Sequence, residues 1–165
     1  RLEPGSQPGG DTFFLAAEAA MVAGLDTSGE DLVEILGKLL DVYERERAVP
    51  DDAVLGALVA LVSFDAGLRV ALRRLARDDA HHWFELWSTV LRRVGGMAAW
   101  APAVLAGSAA FLTGDGATMN VAHDHAARRR PDHWATKMLL QINQEALSPA
   151  AWERLLTDAL PGRGE

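Results

Sequence analysis

Apolar residues along this chain recur at helical spacing almost throughout. Asp11 is placed to cap a first helix, DTFFLAAEAAMVAG, whose stripe is Phe14, Ala17, Met21 and Val22. The run Leu25-Asp26-Thr27-Ser28-Gly29 breaks it. Ser28 then caps a second helix, EDLVEILGKLLDVYERER, with Asp31 in the reciprocal position of a capping box. Acids open that helix and Arg45 and Arg47 close it, as the helix dipole favours. Glu34 with Lys38 and Asp41 with Arg45 are favourable pairs four apart. Leu32, Ile35, Leu36, Leu39 and Tyr43 are its predicted buried stripe.

Pro50-Asp51-Asp52 is the next stop and start. Ala53 to Val62 reads as a short apolar helix at the centre of the fold, and Ser63 to Asp65 turns the chain. Leu68, Leu72 and Leu75 then face inward, while Arg69, Arg73 and Arg77 fall on one outer stripe. Asp78-Asp79 opens AHHWFELWSTVLRRV. Its inward positions are Trp83, Trp87, Val90, Leu91 and Val94, and its outward ones Glu85, Ser88 and Arg92. Gly95-Gly96 ends it. Further helices are predicted from Ala101 to Thr113, Ala117 to Arg130 and His133 to Ala146. The last begins at Ser148-Pro149, a cap followed by proline at the first helical position, and stops at Pro161-Gly162.

No run alternates with β-branched or aromatic enrichment, and Asp115-Gly116 lies between helical patterns, not between strands. The prediction is an all-α fold of about seven to nine helices, a bundle of stacked antiparallel hairpins. Residues 1–10, RLEPGSQPGG, read as a linker or tag remnant, 11–161 as a single helical domain and 162–165 as a tail. The chain begins at Arg1 without methionine, which suggests a piece of a longer protein, and no signal peptide is visible.

Composition sharpens this picture. The 165 residues are 49% apolar and 24% charged, a globular balance. A chain of this size buries roughly 70% of its unfolded surface, so its core needs no covalent staple. There is no cysteine, which removes disulfides and thiolate metal sites and leaves a reducing cytoplasm as the default setting. The net charge of −7 argues against a surface devoted to nucleic acid, although the acid is uneven: residues 1–50 carry 10 acids and 4 bases. The uncharged run Val94 to Gly114 is long enough to span a membrane. It is mostly Ala and Gly, with Ser108, Thr113 and Pro102 inside, and such residues supply little transfer energy. It reads as a closely packed core helix, and no membrane association is expected.

The most patterned stretch is GDGATMNVAHDHAARRRPDH, Gly114 to His133. As a hairpin it is similar to one tetratricopeptide unit, a helix-turn-helix of about 34 residues. Gly107, Gly114-Asp115, Ala126 and Pro131 fall on that repeat's positions; Gly116 replaces its aromatic and Met119 its small residue, and no second copy follows. A closer resemblance rests on Gly114, Asp115, Gly116, Ala117, Asn120, Val121, Ala122, Asp124, Ala126 and Pro131, preceded by WAPAVLAGSAAFLT. In that order they resemble the C-terminal region of the actinobacterial domain of unknown function 4192 family, over Asp51 to Leu160. His123 stands where that pattern has an aliphatic residue, and Arg130 where it has an acid. The resemblance implies a portion N-terminal to this chain and a GC-rich actinobacterial source. It implies no known activity.

Each candidate chemistry has a plainer competitor. His123 and His125 lie about 200° apart around a helix and cannot share one metal. His81 and His82 sit together at a helix start, and there is no HExxH, so no metal site and no cofactor are expected. Gly114-Asp115-Gly116 could offer N–H groups to a phosphate, but Asp115 puts a negative charge there and no Gly-Lys-Ser/Thr follows. The turn reading is stronger: the glycines permit a left-handed turn, Asp115 caps the next helix, and Asn120 bonds back to it. On that reading Gly116→Val destabilises the fold. No serine sits in GxSxG, and no catalytic residue is assigned. Arg69, Arg73 and Arg77 with Arg128 and Arg129 form a candidate anion or nucleic-acid face if they converge; Arg130 extends the second run. Of five tryptophans, Trp83, Trp87 and Trp134 are candidate interaction aromatics, against a core reading for those on apolar stripes. The expectation is a non-catalytic protein-interaction or scaffolding domain with a protein partner or self-association. The alternative is a nucleic-acid-associated module built on the arginine faces.

Overall fold

The structure is a computed structural model that describes residues 29–160. The helix expected from Asp11 with Phe14, Ala17, Met21 and Val22, the Ser28 cap, the 1–10 linker, the Pro161-Gly162 stop and the 162–165 tail lie outside those residues. Among the described residues there are eight α-helices and no strand: α1 (Gly29–Glu46), α2 (Asp52–Val62), α3 (Asp65–Arg74), α4 (Ala80–Arg93), α5 (Trp100–Leu112), α6 (Gly116–Ala127), α7 (Trp134–Gln144) and α8 (Trp152–Ala159). Short 3₁₀ turns at Arg77–Asp79, Gly96–Ala99 and Pro149–Ala151 lead into α4, α5 and α8.

The centre of the fold is α5, not the Ala53–Val62 segment. All 13 residues of α5 are buried, against seven on α2. Ala103, Ala106, Gly107 and Ala110, three or four apart, form one small face on which neighbours can close in, and α5 packs chiefly against α4 and α6, with α2, α3 and α7 around them. A Cβ on Gly107 would stand 2.9 Å from the Ala122 Cβ on α6 and 3.3 Å from Leu139 on α7, so this position needs glycine for close approach. Pro102 does not break α5 because it lies in the first turn, where its missing N–H would have no helical partner. The uncharged run is therefore divided between a 3₁₀ turn and a core helix. No single helix among the described residues is long and apolar enough to cross a membrane. The α2–α3 pair passes that test only together, bent by 112°.

Several faces differ from the sequence pattern. Leu36, Leu40 and Tyr43 anchor α1, but Ile35 is 44% exposed. Arg74 of α3 reaches the Gly37 carbonyl (3.3 Å), Asp41 (2.8 Å) and Glu44 (3.3 Å), fixing one flank of α1 to the fold and turning Ile35 and Val42 outward. Asp41 is thereby taken from its expected partner Arg45, while the Glu34–Lys38 pair does form at 3.2 Å. Ser88 is buried, not outward; its hydroxyl donates to the Glu85 carbonyl, which satisfies it within the helix. Ser148 precedes the last helical segment with proline next, but its side chain makes no capping bond. Asp51 does cap α2, accepting from the Val54 N–H at 3.1 Å.

Candidate functional site

Two ends of the bundle carry the candidate chemistry. At the first, the hairpin between α5 and α6 closes through a Schellman arrangement: the Asp115 N–H donates to the Ala110 carbonyl and the Gly114 N–H to Phe111, each at 2.9 Å. Gly114 occupies the left-handed position, with φ +86°. Gly116 does not. It begins α6 with no positive φ, and a Cβ there would meet nothing within 4 Å, so the expected penalty of Gly116→Val is corrected: the requirement belongs to Gly114. Asp115 accepts from the Thr118 N–H at 3.0 Å and its hydroxyl at 2.6 Å, and these bonds hold its carboxyl below the usual range. Thr118 thus takes the place expected of Asn120, which stands exposed one turn on. Here the arrangement is a capped turn, and its carboxylate faces away from any anion-binding role.

Beside this turn run two cavities. One of about 590 Å³ is lined by Arg77, Asp78, Leu112, Thr113, Gly114 and Pro149. Another, of about 530 Å³, is lined by Arg73 and Arg77 with Asp78, Trp152, Glu153 and Leu156. Acids and bases balance in this groove. The predicted arginine stripe also ends here: Leu75 is extended, so Arg77 leaves the α3 helix, and Arg69 is tied to Asp65 at 2.8 Å. Arg69, Arg73 and Arg77 therefore do not present one charged face.

At the opposite end three connections meet: Ser63 to Asp65, Gly95 to Ala99, and Arg128 to His133. Trp100 opens α5 and is pinned to α7 by its indole N–H, which donates to the Thr136 hydroxyl at 2.8 Å. The Arg130 guanidinium lies 4.6 Å above the Trp100 ring, and His133 packs against that ring at 4.3 Å. The His133 Nδ1 accepts from the Ala135 N–H at 3.0 Å and so caps α7. Burial, then the charge on Arg130, hold the His133 imidazole below the usual histidine range, while Asp65 pulls the other way. Trp134 donates to Asp65 at 3.1 Å. Arg129 donates to the Gly96 and His125 carbonyls, each at 2.8 Å, and Arg128 lies 2.9 Å from the His125 Nδ1. A cavity of about 240 Å³ opens among Ser63, Met97, Ala98, Trp100, Ala101 and Arg130. Met97, 61% exposed, stands at its edge, with Phe64, 38% exposed, next to Ser63 in the chain.

The candidate aromatics divide. Trp83 and Trp87 are in the core, at 1% and 0% exposure, and offer no surface to a partner. Trp134 is half-buried at the three-connection end. Arg128 and Arg129 lie at that end, apart from the surroundings of Arg73 and Arg77. Sequence reasoning missed that Met97, Trp100, Arg130 and His133 come together at one end. The available signal was an apolar residue in a connection: Met97 follows Gly95-Gly96. Among the described residues no group of three or more His, Asp or Glu could hold a metal ion.

The family described as Domain of unknown function (DUF4192) matches residues 14–150, and the chain belongs to that family. The match begins well before Asp51, where the resemblance read from the GDG motif started. No curated protein and no solved structure is significantly similar to the chain.

Proposed function

We propose that this chain is a non-catalytic protein-interaction domain, with a tetratricopeptide-like hairpin stack as its scaffold. One observation carries the reading: Met97 is exposed at the edge of a small, mostly apolar cavity at the end where three connections meet. Large apolar side chains held out by a packed scaffold mark a contact surface. The cavity lies below the roughly 300–1,000 Å³ usual for small-molecule sites. A cytoplasmic setting is the default for this reading.

The test is a pull-down from host lysate with the wild-type chain and Met97→Glu, with nuclease and salt as variables. A protein retained by the wild type through nuclease and high salt, and lost with Met97→Glu at unchanged thermal stability, is the expected result. Equal capture by both chains sinks the reading. The second reading, a nucleic-acid-associated module, draws on Arg128, Arg129 and Arg130, none of which has a carboxylate partner among the described ion pairs. It predicts recovery of nucleic acid that falls steeply as salt rises.

A further inference from the structure

We infer that the cavity edged by Met97 is a receptor for one large apolar side chain of a partner protein, flanked in the partner by carboxylates that meet Arg130 and Arg129. This rests on the interaction reading above and adds the chemistry of the partner. The cavity wall is mostly apolar: Met97, Ala98, the Trp100 ring and Ala101. Its volume of about 240 Å³ suits a side chain rather than a cofactor.

The charge argument is separate. Three arginines of the described residues are neutralised by carboxylates within the fold: Arg69 by Asp65, Arg74 by Asp41 and Glu44, Arg93 by Asp52. Arg128, Arg129 and Arg130 are instead held by groups without negative charge, namely an imidazole, two carbonyls and an indole face. Their positions are fixed but their charge is not cancelled. Asp65, the acid that the Ser63–Asp65 connection brings to this end, is already engaged by Arg69 and Trp134. Asp124 and Asp132, both exposed, are two acids against three bases in this stretch. A guanidinium preorganised over an aromatic ring forms a forked pair with a carboxylate at little further entropic cost. Positive charge beside an apolar hole therefore complements an acidic segment carrying one apolar residue. A nucleic acid would use the cations and leave the hole and Met97 unexplained.

The test is peptide-display selection on the immobilised full chain, followed by titration of labelled winners and of a labelled oligothymidine. The expected consensus is one Leu, Met, Phe or Trp with Asp or Glu adjacent. Met97→Glu and Arg130→Gln should each weaken those peptides by about tenfold. Arg130→Glu should regain affinity for a version whose acids are replaced by lysine. Both mutated side chains are exposed, and a melting curve for each variant confirms folding. Winners that need Met97 but show no acidic preference overturn this inference and leave the interaction reading standing. Winners indifferent to both residues, or tighter capture of oligothymidine than of any peptide, overturn both.

Discussion

Tyr43 shows how one side chain joins two helices. Its hydroxyl donates to the His82 carbonyl at the start of α4, and its ring packs 5.5 Å from that of Trp83. Burial, with Glu85 nearby, pushes its pKa up to about 12, so the protonated donor persists through neutral pH. Tyr43→Phe keeps the ring and removes the bond. Thermal or urea unfolding should record a loss of about 1 kcal/mol; an unchanged midpoint would mean that the bond contributes nothing. Ser108 is the converse case. Its hydroxyl is fully buried on α5 and has no hydrogen-bond partner among the described residues. Ser108→Ala should raise stability by roughly 1 kcal/mol, since an unpaired buried hydroxyl carries a desolvation cost. Both residues have the right sequence position for burial, yet which hydroxyl finds an acceptor depends on helices far along the chain.

Elements end where the backbone allows it, and the two Schellman ends make this testable. After α5 the left-handed residue is Gly114; after α7 it is Ala146, with φ +48°, where Leu147 and Ala146 N–H groups donate back to Ile142 and Asn143. A Cβ in that conformation costs about 1–2 kcal/mol. Gly114→Ala should therefore lower the melting temperature, Ala146→Gly should raise it, and Gly116→Val should leave it nearly unchanged. Comparable losses from Gly114→Ala and Gly116→Val would restore the reading made from sequence. Gly107→Ala tests packing instead of φ: the added methyl meets Ala122 and Leu139 and should cost about 1–3 kcal/mol. The helix starts at Asp52 and Gly116 and the stop at Gly114 were legible within a residue or two because Asp51, Asp115 and Gly114 act locally, while α6 ends at Ala127, three residues before the expected Arg130. The faces of α1 and the end of the Arg69–Arg73–Arg77 stripe were not. Arg74 reaching across to Asp41 and Glu44, and the extended backbone at Leu75, settle them.

At the scale of the whole molecule, His133 gathers α7, Trp100 and the neighbourhood of Asp65 into one end of the bundle. Its folded pKa is depressed, so the stability held by its neutral ring is present above the ordinary value of about 6.5 and is lost as pH falls through the folded value. Protonation at Nδ1 would also remove the acceptor that caps α7. The melting temperature should fall from pH 7 to pH 5, and His133→Asn, which keeps a capping acceptor, should flatten that fall. An identical slope in both proteins would assign the pH dependence to other groups. The sequence by itself determined the all-helical class, the turn at Gly114-Asp115 and the family motif, because periodicity, caps and turn chemistry are properties of neighbouring residues. Tertiary structure alone decided that α5 is the central helix, and that Met97, Trp100, Arg130 and His133 share one end. Those placements depend on which faces of distant helices meet, and α5, apolar on every side, carries no stripe from which its neighbours could be read.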